Sequence, residues 1–279
     1  MKKAILVVSF GTSYEDTRKL TIERIEERVR ETFTSYEVRR AFTSHMIIKV
    51  LKERDGIIEL TPEEALDKLI DEGYLEIIVQ PLHLIPGAEY DYIEAVMNNY
   101  KNKNALQKLR LGRPALFYKG EEQGRPDDYE VLMRAIEETI IGDKTVVYMG
   151  HGTIHHANAC YPCLQSVLDD NGFENVYIGT VEGYPTLSDV IRRLKKDEIK
   201  EIILMPLMLV AGDHAKNDMA SDDANSWKTV ISRQGIKVNI YMHGLGEIPK
   251  FQEIYLDHIR DAIEDRYKGL GKTKKGNMG

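Results

Sequence analysis

Residues 61–89 read TPEEALDKLIDEGYLEIIVQPLHLIPGAE, and residues 186–214 read TLSDVIRRLKKDEIKEIILMPLMLVAGDH. Aligned at an offset of 125, both begin with a Thr suited to capping a helix, continue with apolar residues at helical spacing, and end in an apolar strand. Each strand closes on Pro-Leu (81–82 and 206–207), a further apolar pair (84–85 and 209–210) and a glycine, Gly87 or Gly212. Such self-similarity marks a duplicated supersecondary unit.

Working outward, Val7–Ser13 (VVSFGTS) is echoed by Val146–Gly152 (VVYMGHG) at an offset of 139. A third echo pairs Leu111-Gly112-Arg113-Pro114 with Leu245-Gly246-Glu247, with helical patterns following at Asp127–Ile140 and Lys250–Glu264. The change of offset from 139 to 125 places about 14 extra residues in the first half, around Met46–Leu60, near one mouth of any cleft between the halves. Strand patterns at Ala4–Ser9, Glu76–Gln80, Thr145–Tyr148, Val176–Thr180 and Glu201–Met205 alternate with helical ones. The expected fold is therefore α/β: two similar lobes, each a parallel sheet flanked by helices, facing each other across a cleft. The expected lobes are 1–128 and 129–267; the last helix can pack on either, and the basic stretch 268–279 reads as a disordered tail.

Composition narrows the function. A formal charge of −7 argues against general nucleic-acid binding, and no apolar run is long enough for a membrane span. Lys2 and Lys3 precede an apolar run that stops at Phe10 and reads as a first strand, not as an export signal, so a cytoplasmic protein is expected. Cys160 and Cys163 form a CxxC with no second ligand pair, which reads as an incidental spacing at a helix start.

In open α/β sheets, ligands bind beyond the carboxyl ends of the strands. Three strand ends of the second half present His151, Glu182 and His214, a set that suits a borderline divalent ion such as cobalt, iron, nickel or zinc. Their first-half counterparts are Thr12, Thr43 and Glu89, so the expected site is single and asymmetric, with Glu89 facing the histidines across the cleft. His155 and His156 are expected to orient groups or bond backbone, and His45, His83, His243 and His258 to serve packing or the surface. Asp213, Asp218, Asp222 and Asp223 read equally as turn chemistry or as attraction for a cation.

The stretches VVYMGHGTIHHA, VEGYP and LMPLMLVAGDHAKNDMASDDANSWK resemble the anaerobic cobalt chelatases of the cobalamin pathway (the CbiK type), and VVSFGTSYEDT, RRAFTSHMI and LHLIPGAEY match the same family. The resemblance implies two flavodoxin-like lobes related to the ferrochelatases, with a tetrapyrrole, sirohydrochlorin or its reduced precursor precorrin-2, bound in the cleft. It implies His151 and His214 as catalytic, metal-binding residues, Glu182 as a third ligand, and Glu89 in metal selection or proton transfer. Beyond the metal substrate, no cofactor and no nucleotide are implied. The substrate's carboxylates need donors, for which Ser13 and Arg40 are candidates. Iron or nickel insertion, and a non-catalytic protein that carries metal or tetrapyrrole, are the competing readings; self-association stays open.

Overall fold

The computed structural model describes residues 1–100, 106–120, 124–140, 142 and 144–270. From Gly271 onward, the expected disordered tail lies outside the described residues.

The first lobe holds strands β1 (Lys2–Ser9), β2 (Glu37–Phe42), β3 (Tyr74–Pro81) and β4 (Lys108–Leu111), in the order β2-β1-β3-β4. The second repeats that order with β5 (Val146–Gly150), β6 (Val176–Thr180), β7 (Glu201–Leu207) and β8 (Lys237–Ile240), as β6-β5-β7-β8. All neighbouring strands are parallel. The central strands are covered on both faces, which is why residues such as Ile5-Leu6-Val7-Val8 form an unbroken buried run instead of alternating.

Between strands run the helices α1 (Glu15–Arg18) and α2 (Arg24–Thr32), α3 (His45–Val50), α4 (Pro62–Asp71), α5 (Ala88–Tyr100) and α6 (Asp128–Ile136). The second half adds α7 (Cys160–Asp170), α8 (Leu187–Lys196), α9 (Trp227–Ser232) and α10 (Pro249–Ile263). The duplicated threonines do cap their helices. Thr61 accepts from the Glu64 N–H and Glu64 returns a carboxylate to the Thr61 N–H; Thr186 and Asp189 do the same for α8. Each cap is worth about 1 kcal/mol.

The first-half insertion lies where the offsets put it: residues 43–61 link β2 to α4, whereas residues 181–186 suffice between β6 and α8. The extra chain forms α3, capped by Ser44, and a π turn at Leu51–Asp55 that ends on Gly56 in the left-handed region. It docks on the loop after β1, because Arg54 donates to the Ser13 carbonyl. The third echo, by contrast, is out of register. Leu245 and Gly246 donate to Met208 and Leu209 as Ala115 and Leu116 donate to His83 and Leu84, so the true partner of Leu245 is Ala115, not Leu111. Matching Leu-Gly pairs misled there because four-residue strands carry little pattern.

The lobes do not have separate cores. One apolar cluster joins Ile5, Val7, Ile25 and Ile78 of the first lobe to Tyr148, Leu164, Ile178 and Leu207 of the second, with α6 and α10 between them. Although α10 follows the second sheet, it packs on the first: Tyr255 donates to the Leu82 carbonyl at 3.0 Å, and Arg28 to the Pro249 carbonyl at 2.7 Å. Helix α6 follows the first sheet and packs on α7 and α10. Beside this seam Arg113 binds Asp128 of α6 at 3.0 Å and Asp261 of α10 at 2.7 Å, and His258 lies 3.4 Å from the same Asp128 carboxylate. Burial alone would raise the Asp128 carboxyl, but the His258 contact and the Arg113 guanidinium outweigh it and hold the group below the ordinary carboxylate range.

Asp128→Asn removes the more deeply buried of the two counter-charges of Arg113 and leaves Asp261, and should destabilise the protein at neutral pH by about 1–3 kcal/mol. A depressed carboxyl contributes stability above its unfolded pKa and loses it as pH falls through the folded value. The gap between variant and wild type in denaturant melts should therefore be full at pH 7 and shrink below about pH 4.

Candidate metal site between the lobes

Backbone pairing of β5 with β6 continues past both strand ends. Val181 donates to Gly150 at 3.0 Å and Glu182 to His151 at 2.8 Å, which sets the His151 and Glu182 side chains next to each other. The glycines around His151 are required by this local packing. A Cβ on Gly150 would meet the Tyr161 ring at 2.5 Å; one on Gly152, which has φ +77°, would meet Thr180 and the Gly183 backbone at 2.7 Å.

His214 reaches the same place from β7. It stands at the head of a π turn, Ala215–Met219, whose Ala215 and Met219 are fully buried in the outer core of the second lobe. The His151 and His214 rings lie 4.6 Å apart between centroids, perpendicular to each other. His151 Nδ1 is 2.8 Å from the Gly152 carbonyl, and His214 Nδ1 is 2.7 Å from the Asp218 carboxylate. Carbonyl and carboxylate oxygens only accept, so each Nδ1 carries a proton, and Nε2 is the nitrogen that each ring has left to offer a ligand.

Glu182 is less committed. Its carboxylate is 4.0 Å from His151 Nδ1, the bonded nitrogen, and 58% of the side chain is exposed. Among the described residues no three His, Cys, Asp or Glu side chains already converge as a closed metal cage. The two imidazoles come together; the carboxylate must rotate to join them, and its exposure lets it.

The first lobe faces this pair with residues sequence reasoning did not select. Asp91, in the first turn of α5 with Glu89, accepts from His155 Nε2 at 3.1 Å across the cleft; this sets that turn opposite the loop after β5. His155 Nδ1 accepts from Ala157, so this histidine does bond backbone as expected. Tyr14 donates to Asp213, next to His214, at 3.1 Å, and Lys216 sits 3.7 Å above the Tyr14 ring. Thr12 and Thr43, expected as the counterparts of His151 and Glu182, are both buried, and the sheet register gives those places to Phe10 and Ser44 instead. Val8 pairs with Pro81 as Met149 pairs with Pro206, and Ser44 donates to the Phe10 carbonyl as Glu182 donates to that of His151.

The donors expected for substrate carboxylates divide. Ser13 sits in the cleft loop, its carbonyl taken by Arg54. Arg40 does not serve: it lies within β2, not at its end, and its guanidinium is bound to Glu26 at 2.6 and 2.7 Å and to Glu59 at 3.0 Å. Arg54, brought to the Ser13–Tyr14 loop by the insertion and paired with its neighbour Asp55 at 2.7 Å, is a half-exposed cation that no sequence pattern singles out. His83 is held by packing: both ring nitrogens are buried without a partner, and burial pushes its pKa down to about 4. Burial likewise pushes the Cys160 and Cys163 thiols up, away from the thiolate that metal or redox chemistry needs.

A family model described as cobalt chelatase (CbiK) matches residues 3–264. The chain belongs to the CbiK cobalt chelatase family. It is 41% identical over 266 residues to the sirohydrochlorin cobaltochelatase of Salmonella typhimurium, covering 94% of this chain and 97% of that protein. It is 33% identical to the sirohydrochlorin cobaltochelatase CbiKC of Nitratidesulfovibrio vulgaris, covering 94% and 91%. Among solved structures, the sirohydrochlorin chelatase SirB of Bacillus subtilis subspecies spizizenii, in complex with cobalt, superposes with a TM-score of 0.63 over 99% of this chain and 98% of that one, at 15% identity. That likeness bears on the fold, the two-lobed α/β architecture of chelatases.

If the Nε2 pair is the metal's primary hold, His151→Ala and His214→Ala should each weaken cobalt(II) binding by about tenfold or more, ~1.4 kcal/mol. Glu182→Ala should cost less. Titration of the metal-free protein, followed by the cobalt visible bands, checks the ranking.

Proposed function

We propose that this member of the CbiK family inserts cobalt(II) into sirohydrochlorin, or into precorrin-2, for cobalamin synthesis, with His151 and His214 as the groups that hold the metal and receive the ring protons. The observation that carries this reading is the pair of imidazoles at one interlobe cleft, each bonded to the protein through Nδ1, which leaves Nε2 to take a metal or a proton.

Metal insertion removes two pyrrole protons as a dication arrives. A neutral imidazole serves either need, as ligand or as proton acceptor near neutral pH. Two imidazoles and a carboxylate that must swing in form a weak, open grip, which suits an ion that has to be handed on. Glu182 would complete the metal's coordination, and Glu89, on the facing α5, would assist metal choice or proton removal. Around the strand ends stand exposed apolar side chains, Phe10 and Met46 from the first lobe, Ile154 and Tyr184 from the second. A macrocycle with apolar faces and a carboxylate edge matches such a rim, with Ser13, Arg54 and Lys216 to meet the edge. No nucleotide or further cofactor has a part in this scheme. Among the described residues no helix is long and apolar enough to cross a membrane, and we place the reaction in the cytoplasm.

Iron or nickel insertion on the same ring is the second reading, favoured by a ligand set that does not discriminate among borderline ions. An anaerobic spectrophotometric assay of sirohydrochlorin with cobalt(II), iron(II) and nickel(II) should show catalysed conversion fastest with cobalt. His151→Ala and His214→Ala should abolish it. No acceleration over the enzyme-free rate with any of the metals would leave a binding protein as the better account. Ile154→Asp places a charge on the rim at a fully exposed position. It should raise KM for sirohydrochlorin several-fold, about 1 kcal/mol, with the melting temperature unchanged.

A further inference from the structure

The acidic stretch after His214 sorts into separate tasks. Asp213 accepts from Tyr14 at 3.1 Å and from Asn217 at 2.9 Å, Asp222 pairs with Lys228 at 2.7 Å, and Asp223 accepts from the Asn225 N–H at 2.8 Å. Asp218 is different. Its carboxylate accepts from His214 Nδ1 at 2.7 Å, and both side chains are partly exposed to the cleft. The pairing depends on the local backbone. His214 stands at the head of the π turn and Asp218 lies within it, four residues on, a spacing that sets the two side chains on one face of the winding. The turn itself is anchored by the buried Ala215 and Met219 and by the Lys216 N–H on the Gly212 carbonyl at 3.0 Å.

We propose that Asp218 is a positioning residue for the metal-handling step: by accepting the Nδ1 proton it keeps His214 in the tautomer whose Nε2 lone pair points into the cleft, and it supplies the counter-charge when that nitrogen takes a cation. His151 Nδ1 bonds a backbone carbonyl in the equivalent place, at 2.8 Å, with the Glu182 carboxylate 4.0 Å away and not bonded to it. The two histidines are therefore unequal. His214, backed by a full negative charge, is the stronger electron donor, and His151 is the weaker one, more readily released. An asymmetric pair of this kind suits capture of a metal by one ring and its transfer past the other.

The inference rests on the reading of His214 as a metal-holding group, and its test does not require turnover. In 15N-histidine-labelled, metal-free full-length protein, long-range 1H–15N correlation reports which nitrogen of His214 carries the proton. Wild type should show the proton on Nδ1; Asp218→Ala should show a mixture of tautomers. In Asp218→Ala cobalt(II) affinity should fall about 10–100-fold, the usual effect of removing a partner of a metal-ligating histidine. Asp218→Glu should recover part of that loss. In the anaerobic assay kcat should fall while KM for sirohydrochlorin stays at the wild-type value, since Asp218 is proposed to touch the histidine and not the ring. Should Asp218→Ala not fold, Asp218→Asn, which keeps the shape and removes the charge, gives the same readouts. An unchanged His214 tautomer together with unchanged cobalt affinity in the variant would overturn the proposal. A wild-type protein that fails to turn over, yet shows the tautomer and affinity changes, would sink the chelatase reading and leave the positioning role intact.

Discussion

The arrangement of this protein depends on one constraint: neither lobe can bury its inner face alone. Each four-stranded sheet covers its outer face with its own helices, but the inner faces share a single apolar cluster filled by α2, α6, α7 and α10. Because α10 belongs to the second half in sequence and to the first in space, the lobes are tied at their backs by packing and by the Arg113–Asp128–Asp261 ion pairs. The strand ends at the front face each other across the cleft, where Tyr14 meets Asp213 and His155 meets Asp91.

On that frame, the two halves use equivalent strand ends for opposite purposes. In the first lobe these places hold Phe10, an exposed ring, and Ser44, a buried hydroxyl that caps α3 at the start of the insertion. In the second lobe the same positions carry His151 and Glu182, which remain 46% and 58% exposed. The first lobe thus presents an apolar ring and a capping hydroxyl where the second presents an imidazole and a carboxylate. The insertion docks on the loop after β1 through Arg54, whose charge is met by Asp55.

The looseness of the site also follows from the geometry. Two imidazoles are oriented by bonds on Nδ1, while the Glu182 carboxylate stands 4.0 Å from His151 without bonding it. A closed tetrahedral cage would hold an ion as a structural centre. An incomplete one leaves coordination positions to be filled by the incoming ring nitrogens, and thus favours departure of the metal into the product.

Much of this was legible in the chain alone. Threonine caps, helical and strand periodicity, and the offsets of 125 and 139 are local patterns, and local patterns report burial and backbone conformation directly. They sufficed for the two parallel sheets, for the position of the insertion, and for the three strand ends that bear His151, Glu182 and His214. What tertiary structure decided is whatever depends on partners remote in sequence. Arg40 looks free for a ligand in the sequence, but Glu26 and Glu59 take its guanidinium. The packing of α10 on the first sheet, the cross-cleft pairs 64 and 199 residues apart, and the out-of-register Leu-Gly echo have no periodic signature. The protonated nitrogen of each histidine belongs to the same class, because a tautomer is set by the acceptor that the folded chain places beside the ring.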